Sequence, residues 1–327
     1  MAVPSIVTLT MNPAIDVSAR VAQVLSERKL RCEEPRREPG GGGINVARAI
    51  RKLEGAALAV FPAGGAAGLL LQGLLETEGI PQMPLAIEGW TRENWNLLEE
   101  STGRQYRFCM PGPELRERDW RLCLETLSAL RPSPAYVVAS GSLPPGVPAD
   151  FYARLALLAR EMGARLVLDS SGDALRLAAE KGVYLLKPSL REFHELTGTD
   201  ACDETRLRVL ARALVQKGCC ETLVLSLGSG GALWVAAGEE ERLLAPSVPL
   251  RSSVGAGDTL VAGIVLSLAR GRPLREAVRY GVAASAASIM NPGTELCHRE
   301  DVERLSEGMR SASGASEQAG REVSIAS

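Results

Sequence analysis

What this 327-residue sequence has least of is histidine, with only His194 and His298. Both sit among polar residues in stretches that read as surface helix, which leaves no imidazole for a Ser-His-Asp relay or a histidine-rich metal site. Most hydrolase chemistries are thereby excluded. Cysteines number seven, an odd count scattered from Cys32 to Cys297, with only Cys219 and Cys220 close together. That spacing suits neither a disulfide framework nor a metal-ligand set and predicts reduced, partly buried thiols. No apolar run reaches the roughly eighteen residues that a membrane span needs. The first ten residues lack the basic segment and apolar core of a secretion signal, so the sequence points to the cytoplasm. Charge is nearly balanced, 37 basic against 39 acidic side chains for a net −2. With no basic stripe or tail, neither nucleic acid nor an anionic membrane is an expected partner, and small molecules are. Two motifs are also missing. No Gly-x-Gly-x-x-Gly follows a strand pattern and no Gly-Lys-Ser/Thr occurs, so neither a dinucleotide fingerprint nor a P-loop is present.

What is there is an ordinary globular composition, 46% hydrophobic and 23% charged, arranged as apolar β-branched runs alternating with helical patterns. Strands are expected at Ser5 to Thr10, Leu58 to Pro62, Ala135 to Ala139, Arg165 to Asp169, Val183 to Leu186 and Thr222 to Leu227. Helices are expected at Ile44 to Leu53, Ala66 to Glu78, Ala149 to Met162, Asp173 to Glu180 and Glu204 to Lys217. The strands are nearly continuous in apolar residues, as strands buried on both faces are, which predicts an open α/β sheet with mostly parallel strands. In such a sheet ligands bind beyond the C-terminal strand ends, where Ser140-Gly141-Ser142, Asp169-Ser170-Ser171-Gly172, Lys187-Pro188 and Ser226-Leu227-Gly228 fall. Two stretches break the rhythm, Ile15 to Glu38 and Trp90 to Met110, and read as antiparallel strands inserted as a small lid carrying Lys29, Arg31, Arg92 and Arg107. The expected organisation is one domain over residues 1–310, with a disordered tail at 311–327 that is rich in Ser, Ala, Gly and Glu.

Two glycine-rich loops stand near the ends of this domain. Ser252-Ser253-Val254-Gly255-Ala256-Gly257-Asp258-Thr259 opens the uncharged apolar run Leu260 to Ala269. A buried helix starting there would aim free N–H groups and its positive dipole end at an anion, with Asp258 placed to take the proton of an attacking hydroxyl. A glycine turn with Asp258 as a helix cap is the structural alternative. Gly40-Gly41-Gly42-Gly43-Ile44-Asn45 sets four glycines before another helix, where backbone can approach a substrate because no Cβ intervenes.

Together the two loops resemble the paired signatures of the ribokinase-like carbohydrate kinases, the PfkB family, over residues 5 to about 306. Lys29-Leu30-Arg31-Cys32, Glu38-Pro39-Gly40 through Ile50, Phe61-Pro62-Ala63-Gly64-Gly65, Trp90-Thr91-Arg92, Gln105-Tyr106-Arg107-Phe108, Ser140 through Val147 and Gly281-Val282-Ala283-Ala284 resemble its ATP-dependent 6-phosphofructokinase branch. The resemblance implies transfer of phosphate from ATP to the 1-hydroxyl of fructose 6-phosphate, with Mg2+ and possible use of K+. Relatives acting on fructose 1-phosphate or tagatose 6-phosphate usually carry lysine where this chain has Gly42. Asn12-Pro13-Ala14-Ile15-Asp16, however, is similar to the 1-phosphofructokinase form, so that substrate stays open, as does a non-catalytic sugar-phosphate sensor.

Carried onto matching positions, the resemblance makes Asp258 the base and Gly255, Ala256 and Gly257 the anion hole. Asp16, Gly41, Gly42 and Asn45 would hold sugar hydroxyls. Arg92, Ser142 and, from a neighbouring subunit, Lys29 would hold the 6-phosphate. Lys187, Ser226 and Gly228 would line the nucleotide site, and Ser252, Val254, Asn291 and Gly293 a monovalent-cation site. Two departures stand out: Ser189-Leu190-Arg191-Glu192 has serine for the asparagine of a magnesium-linked motif whose glutamate, Glu192, is kept, and Glu295 replaces a usual arginine. A homodimer joined through the lids is expected, because an inserted sheet with apolar Val17, Val21, Trp95 and Phe108 leaves an edge to cover.

Overall fold

The computed structural model describes residues 4–200 and 203–310; the tail expected to be disordered lies outside them, as does Cys202. The described strands are β1 (Ile6–Leu9), β2 (Ala14–Val21), β3 (Arg36–Gly40), β4 (Leu58–Ala63), β5 (Gln82–Ala86), β6 (Arg92–Glu99), β7 (Gln105–Phe108), β8 (Tyr136–Ser140), β9 (Arg165–Asp169), β10 (Val183–Leu186), β11 (Cys220–Ser226), β12 (Ala232–Ala236) and β13 (Glu239–Leu243). The helices are α1 (Gly42–Lys52), α2 (Gly65–Thr77), α3 (Glu117–Ala129), α4 (Phe151–Glu161), α5 (Gly172–Ala179), α6 (Leu190–Thr197), α7 (Glu204–Gln216), α8 (Ala256–Ala269) and α9 (Leu274–Ile289), and a further helical segment covers 299–310.

Apolar residues on consecutive positions of one strand must be covered on both faces, and they are. Ile6, Val138 and Val167 point into a core shared with α1, α2, α8 and α9. Their neighbours Val7, Val137, Leu166 and Leu168 point into a second core built with α3 to α7. The resulting nine-stranded sheet runs β13-β12-β11-β10-β9-β8-β1-β4-β5, with every strand in the same direction except β12, which pairs antiparallel with both β11 and β13. The expected mostly parallel α/β sheet is therefore present. Among the described residues no helix is long and apolar enough to cross a membrane, and the described cysteines are all free thiols. His194 is half-buried in α6, while His298 stands exposed just before the last helical segment, beside Glu295.

The inserted sheet is real, in the order β3-β2-β6-β7, but it is not wholly antiparallel. β2 and β6, at its centre, run parallel, with Asp16 opposite Asn94. The reason is topological: β2 follows β1 and β6 follows β5, two parallel strands, so both leave the core sheet from its C-terminal end and set out in the same direction. Val17 and Val21 are also buried within their own protomer, and only Phe108, 47% exposed, is an open apolar side chain of the four expected at the lid edge; Trp95 is half-buried against the first core.

Candidate active site

α8 is uncharged and buried from Thr259 through Ser267. It packs against α9 where a Cβ on Gly263 would come 2.8 Å from the Cα of Gly281. The start of this helix is thus held from behind. Gly255 caps it with φ 77°, a left-handed conformation that glycine adopts without penalty, and no side chain caps the free N–H groups of its first turn.

The ammonium of Lys187 stands beside that turn, 3.3 Å from where a Cβ on Gly257 would be. It is 5% exposed and ion-paired to Asp169 at 2.9 Å. Burial pulls this ammonium down, but the carboxylates of Asp169, Glu192 and Asp258 outweigh burial and hold it above its ordinary value. A cation set against the positive end of a helix dipole is a favourable arrangement when an anion lies between them.

Asp258, in the first turn of α8, is partly open to the cleft. Its Oδ2 accepts from Asn45 Nδ2 at 2.9 Å and its Oδ1 from Ser140 Oγ at 3.2 Å. Burial first, and the charge of Asp169 second, push its carboxyl up to about 7, against the donors Asn45 and Ser140 and the charge of Lys187. A carboxylate of that basicity in front of an anion-binding turn can take a proton from a hydroxyl at neutral pH.

The glycines of the first loop are closely packed by the protein itself. A Cβ on Gly40 would lie 2.5 Å from Asp16 Oδ2, one on Gly41 2.7 Å from Thr10 Cγ2, and one on Gly42 2.2 Å from Ser140 Oγ. These glycines let β3 and α1 press against β2, β1 and β8, and so bring Asp16, Asn45 and Ser140 around one cleft. Asp16 is 7% exposed and accepts from Asn94 Nδ2 at 3.0 Å. Burial raises its carboxyl, opposed by that bond and by Arg92, Arg48 and Arg107.

At the lid end of the cleft, Arg92 donates to the carbonyls of Asn12 at 2.9 Å and Met110 at 3.0 Å; burial lowers its pKa while Asp16 raises it. Ser142, exposed, accepts from Asn12 at 3.3 Å. On the other side of α8, Ser226, Gly228, Ala256, Gly257, Leu250 and Val282 are among the residues lining a largely apolar cavity of about 500 Å³, a size and character that suit a nucleobase and ribose. Ser226 Oγ is itself tied to the carbonyl of Pro188 at 3.3 Å. A larger cavity of about 860 Å³, lined by Arg165, Tyr184 and Glu221 among others, lies at the N-terminal strand ends, away from this chemistry.

The residues named for a monovalent cation also come together. Ser252 Oγ donates to the carbonyl of Gly293 at 2.8 Å, and Asn291 Nδ2 to the carbonyls of Ala287 and Leu296, while the neighbouring Thr294 hydroxyl, 1% exposed, has no partner. Glu295 faces Arg36 at 3.7 Å and His298 at 3.1 Å. The Ser189-to-Glu192 stretch is a capping box at the start of α6: Glu192 Oε2 accepts from Ser189 N at 2.8 Å and Ser189 Oγ from Glu192 N at 3.3 Å. Lys29 is not brought to the cleft by any contact of its own; it is exposed between β2 and β3 and unpaired among the described residues.

Sequence reasoning gave no role to Asp169 or Ser140, although both stood in strand-end loops, and passed over Asn94 and Arg48. Arg48, 2% exposed, grips Glu78 through Nε at 2.8 Å and donates to the carbonyls of Pro39 and Thr294, joining the first glycine loop to the cation loop. Its only sequence signal was a charge on an otherwise apolar helix face.

The family model described as pfkB family carbohydrate kinase matches residues 5–301. The ATP-dependent 6-phosphofructokinase isozyme 2 of Mycobacterium tuberculosis is 45% identical over 304 residues, 93% of this chain and 89% of that one. Phosphofructokinase-2 from Escherichia coli, in its crystal structure in complex with potassium, superposes with a TM-score of 0.90 at 40% identity, covering 95% of this chain and 100% of that chain. The 1-phosphofructokinase of Bacillus subtilis is 32% identical over 303 residues, 92% of this chain and 97% of its own.

Proposed function

We infer the reaction from one premise: the chain belongs to the pfkB family of carbohydrate kinases and is an ATP-dependent sugar kinase. Its substrate is fructose 6-phosphate, phosphorylated at the 1-hydroxyl to fructose 1,6-bisphosphate. The observation that carries the chemistry is the Asp258 carboxyl, pushed up to about 7, at the open start of α8 beside Lys187. Asp258 accepts the proton of the attacking 1-hydroxyl. The N–H groups of Gly255, Ala256 and Gly257, with Lys187, stabilise the charge on the transferred phosphoryl group. A sensor would have no use for a base tuned in this way.

Asp16, Gly41, Gly42 and Asn45 hold the sugar, Arg92 and Ser142 its 6-phosphate, and Ser226 and Gly228 border the nucleotide. Among the described residues no cluster of three carboxylate, histidine or cysteine side chains could cage a metal. That suits Mg2+, which is held mainly by substrate phosphates and one or two carboxylates; Glu192 would hold it here, and the ion would neutralise phosphate charge. The joined loops of Ser252, Val254, Asn291 and Gly293, with the orphaned Thr294 hydroxyl beside them, offer hard oxygen donors to a monovalent cation such as K+.

Fructose 6-phosphate is favoured over fructose 1-phosphate by the higher identity to the 6-phosphofructokinase isozyme and by Gly42. The lysine usual in the other branch would put a Cβ 2.2 Å from Ser140 Oγ. Residues 1–310 act as one kinase domain with its lid. The lids of two copies cover each other, because β6 is half-exposed along most of its length, and Lys29 reaches the partner's sugar phosphate. Steady-state turnover with ATP on fructose 6-phosphate, fructose 1-phosphate and tagatose 6-phosphate tests the substrate. Preference for either of the latter two would overturn the choice, and no turnover on any would overturn catalysis.

A further inference from the structure

We infer that Asn12 is a positioning residue for the phosphate end of the sugar, clamping Arg92 on the lid to Ser142 on the core. This deepens the function proposed above and rests on its choice of Arg92 and Ser142 as the phosphate-holding pair.

Asn12 lies between the end of β1 and the start of β2, where the chain passes from core to lid. It is 7% exposed. Three of its groups are committed to three other segments. Its carbonyl accepts from Arg92 at 2.9 Å, at the lid's second entry. Its Nδ2 donates to Ser142 at 3.3 Å, beyond the core strand β8. Its Oδ1 faces the methylene of Gly112, where a Cβ would come within 2.1 Å, on the chain's return from lid to core.

The amide orientation follows from these neighbours. Reversed, it would bury two N–H donors against a methylene, at the full cost of unmade hydrogen bonds. As it stands, Oδ1 has no conventional partner but meets a Cα–H, which a carbonyl oxygen tolerates.

That orientation sets the direction of the Ser142 hydroxyl. An amide nitrogen only donates, so Ser142 Oγ must accept from Asn12, and its own hydrogen is left to point into the cleft. A hydroxyl offering a hydrogen there, beside a guanidinium whose two terminal nitrogens are braced on carbonyls instead of a carboxylate, presents donors only. Such a pair selects a phosphate oxygen.

The chemistry separates two substitutions, one that truncates the side chain and one that keeps its shape. Asn12→Ala removes the side-chain arm of the clamp, keeps the backbone carbonyl that accepts from Arg92, and leaves the Ser142 hydroxyl free to rotate. Asn12→Asp keeps the shape but accepts from Ser142, turning its hydrogen away from the cleft and adding a negative charge beside the phosphate. With purified full-length protein, Asn12→Ala should raise the KM for fructose 6-phosphate about fivefold and Asn12→Asp about a hundredfold, with kcat and the KM for ATP within about threefold of wild type. In a Ser142→Ala background, Asn12→Ala should add little further loss, because the group it directs is gone.

Thermal unfolding checks that each variant is folded; if Asn12→Asp is not, the alanine cycle decides alone. Equal effects of the two folded substitutions, or full additivity of Asn12→Ala with Ser142→Ala, would overturn the inference and leave Asn12 a plain structural hinge. Arg92→Ala, run alongside, separates the two readings. It should raise the KM for fructose 6-phosphate about tenfold to a hundredfold without changing that for ATP. If it does while the Asn12 variants match wild type, only the role of Asn12 fails. If it does not, the phosphate site is elsewhere and both fail.

Discussion

Asp258 and Asp169 face each other across one hydroxyl: Ser140 Oγ lies 3.2 Å from Asp258 Oδ1 and 3.5 Å from Asp169 Oδ2. Two carboxylates this close to a shared donor cannot be equivalent, because each opposes ionisation of the other. Lys187 breaks the tie by pairing with Asp169 at 2.9 Å. Burial raises the Asp169 carboxyl, but the paired ammonium opposes that rise and occupies it, while Asp258, lacking a cation in contact, retains the basicity that catalysis requires.

Replacing Asp258 with asparagine keeps the shape and removes the base. Turnover should fall by roughly 10²–10⁴-fold with little change in sugar affinity, and a variant keeping over a tenth of wild-type turnover would refute the role. The same variant should be the more stable protein at pH 8. A carboxyl raised from 3.8 to about 7 holds its proton more tightly folded than unfolded. Its contribution to stability is therefore full below the unfolded value and lost as pH rises through about 7. Chemical denaturation should show Asp258→Asn ahead by about 1–2 kcal/mol at pH 8, and the gap should close towards pH 4.

The pH profile of kcat/KM for fructose 6-phosphate should rise with pH and level off above about 7, as Asp258 loses its proton. Burial is the main cause of that position and Asp169 the next, so Asp169→Asn should move the acid limb to lower pH, even though overall activity falls. An unmoved limb would show that the group seen in the profile is not Asp258, or that the two carboxyls do not interact.

Gly42→Ala adds one methyl group where there is no room, 2.2 Å from Ser140 Oγ and 2.8 Å from the Ser140 carbonyl carbon. The backbone part of that clash cannot be relieved by rotating a side chain. Displacing Ser140 would disturb Asp258, so kcat should fall roughly tenfold to a hundredfold, with stability lower by about 1–3 kcal/mol. Wild-type kinetics would mean that the loop and β8 can separate without consequence.

Light scattering at assay concentration should give the mass of a dimer, and specific activity should fall on dilution in step with dissociation. A monomer with full activity would refute the shared site and the reach of Lys29 across it.

Legibility followed the range of the interactions involved. Arg165–Asp169 and Val183–Leu186 were found with the bounds their apolar runs implied, because a strand buried on both faces announces itself locally. β13, with Glu239, Glu240 and Glu241 in succession, was not expected: an edge strand tolerates charges that pattern reading assigns to a loop. The lid was seen but its central pairing was not, since no local pattern states which strand lies beside which. Asp258, Asn45 and Lys187 were visible because glycine loops and strand ends mark them. Ser140, Asp169 and Asn12 acquire a role only through partners as much as 130 residues away. The four glycines of the first loop were read as a close approach to a substrate; what the structure sets against Gly40, Gly41 and Gly42 is the protein's own Asp16, Thr10 and Ser140.

The parallel pair at the centre of the lid also imposes an order on synthesis. Asp16 and its neighbour across the sheet, Asn94, are separated by 78 residues. At roughly 5–20 residues per second, the hairpin of β2 and β3, complete at Gly40, leaves the ribosome about 3–12 s before the last residue of β6, Glu99, can join it. For that interval the open side of β2 is an unpaired edge on a growing chain, able to pair with the same hairpin on a neighbouring nascent chain. Yield of active protein should therefore depend on the pace of translation between codons 40 and 100, the stretch that separates the hairpin from its partner strand.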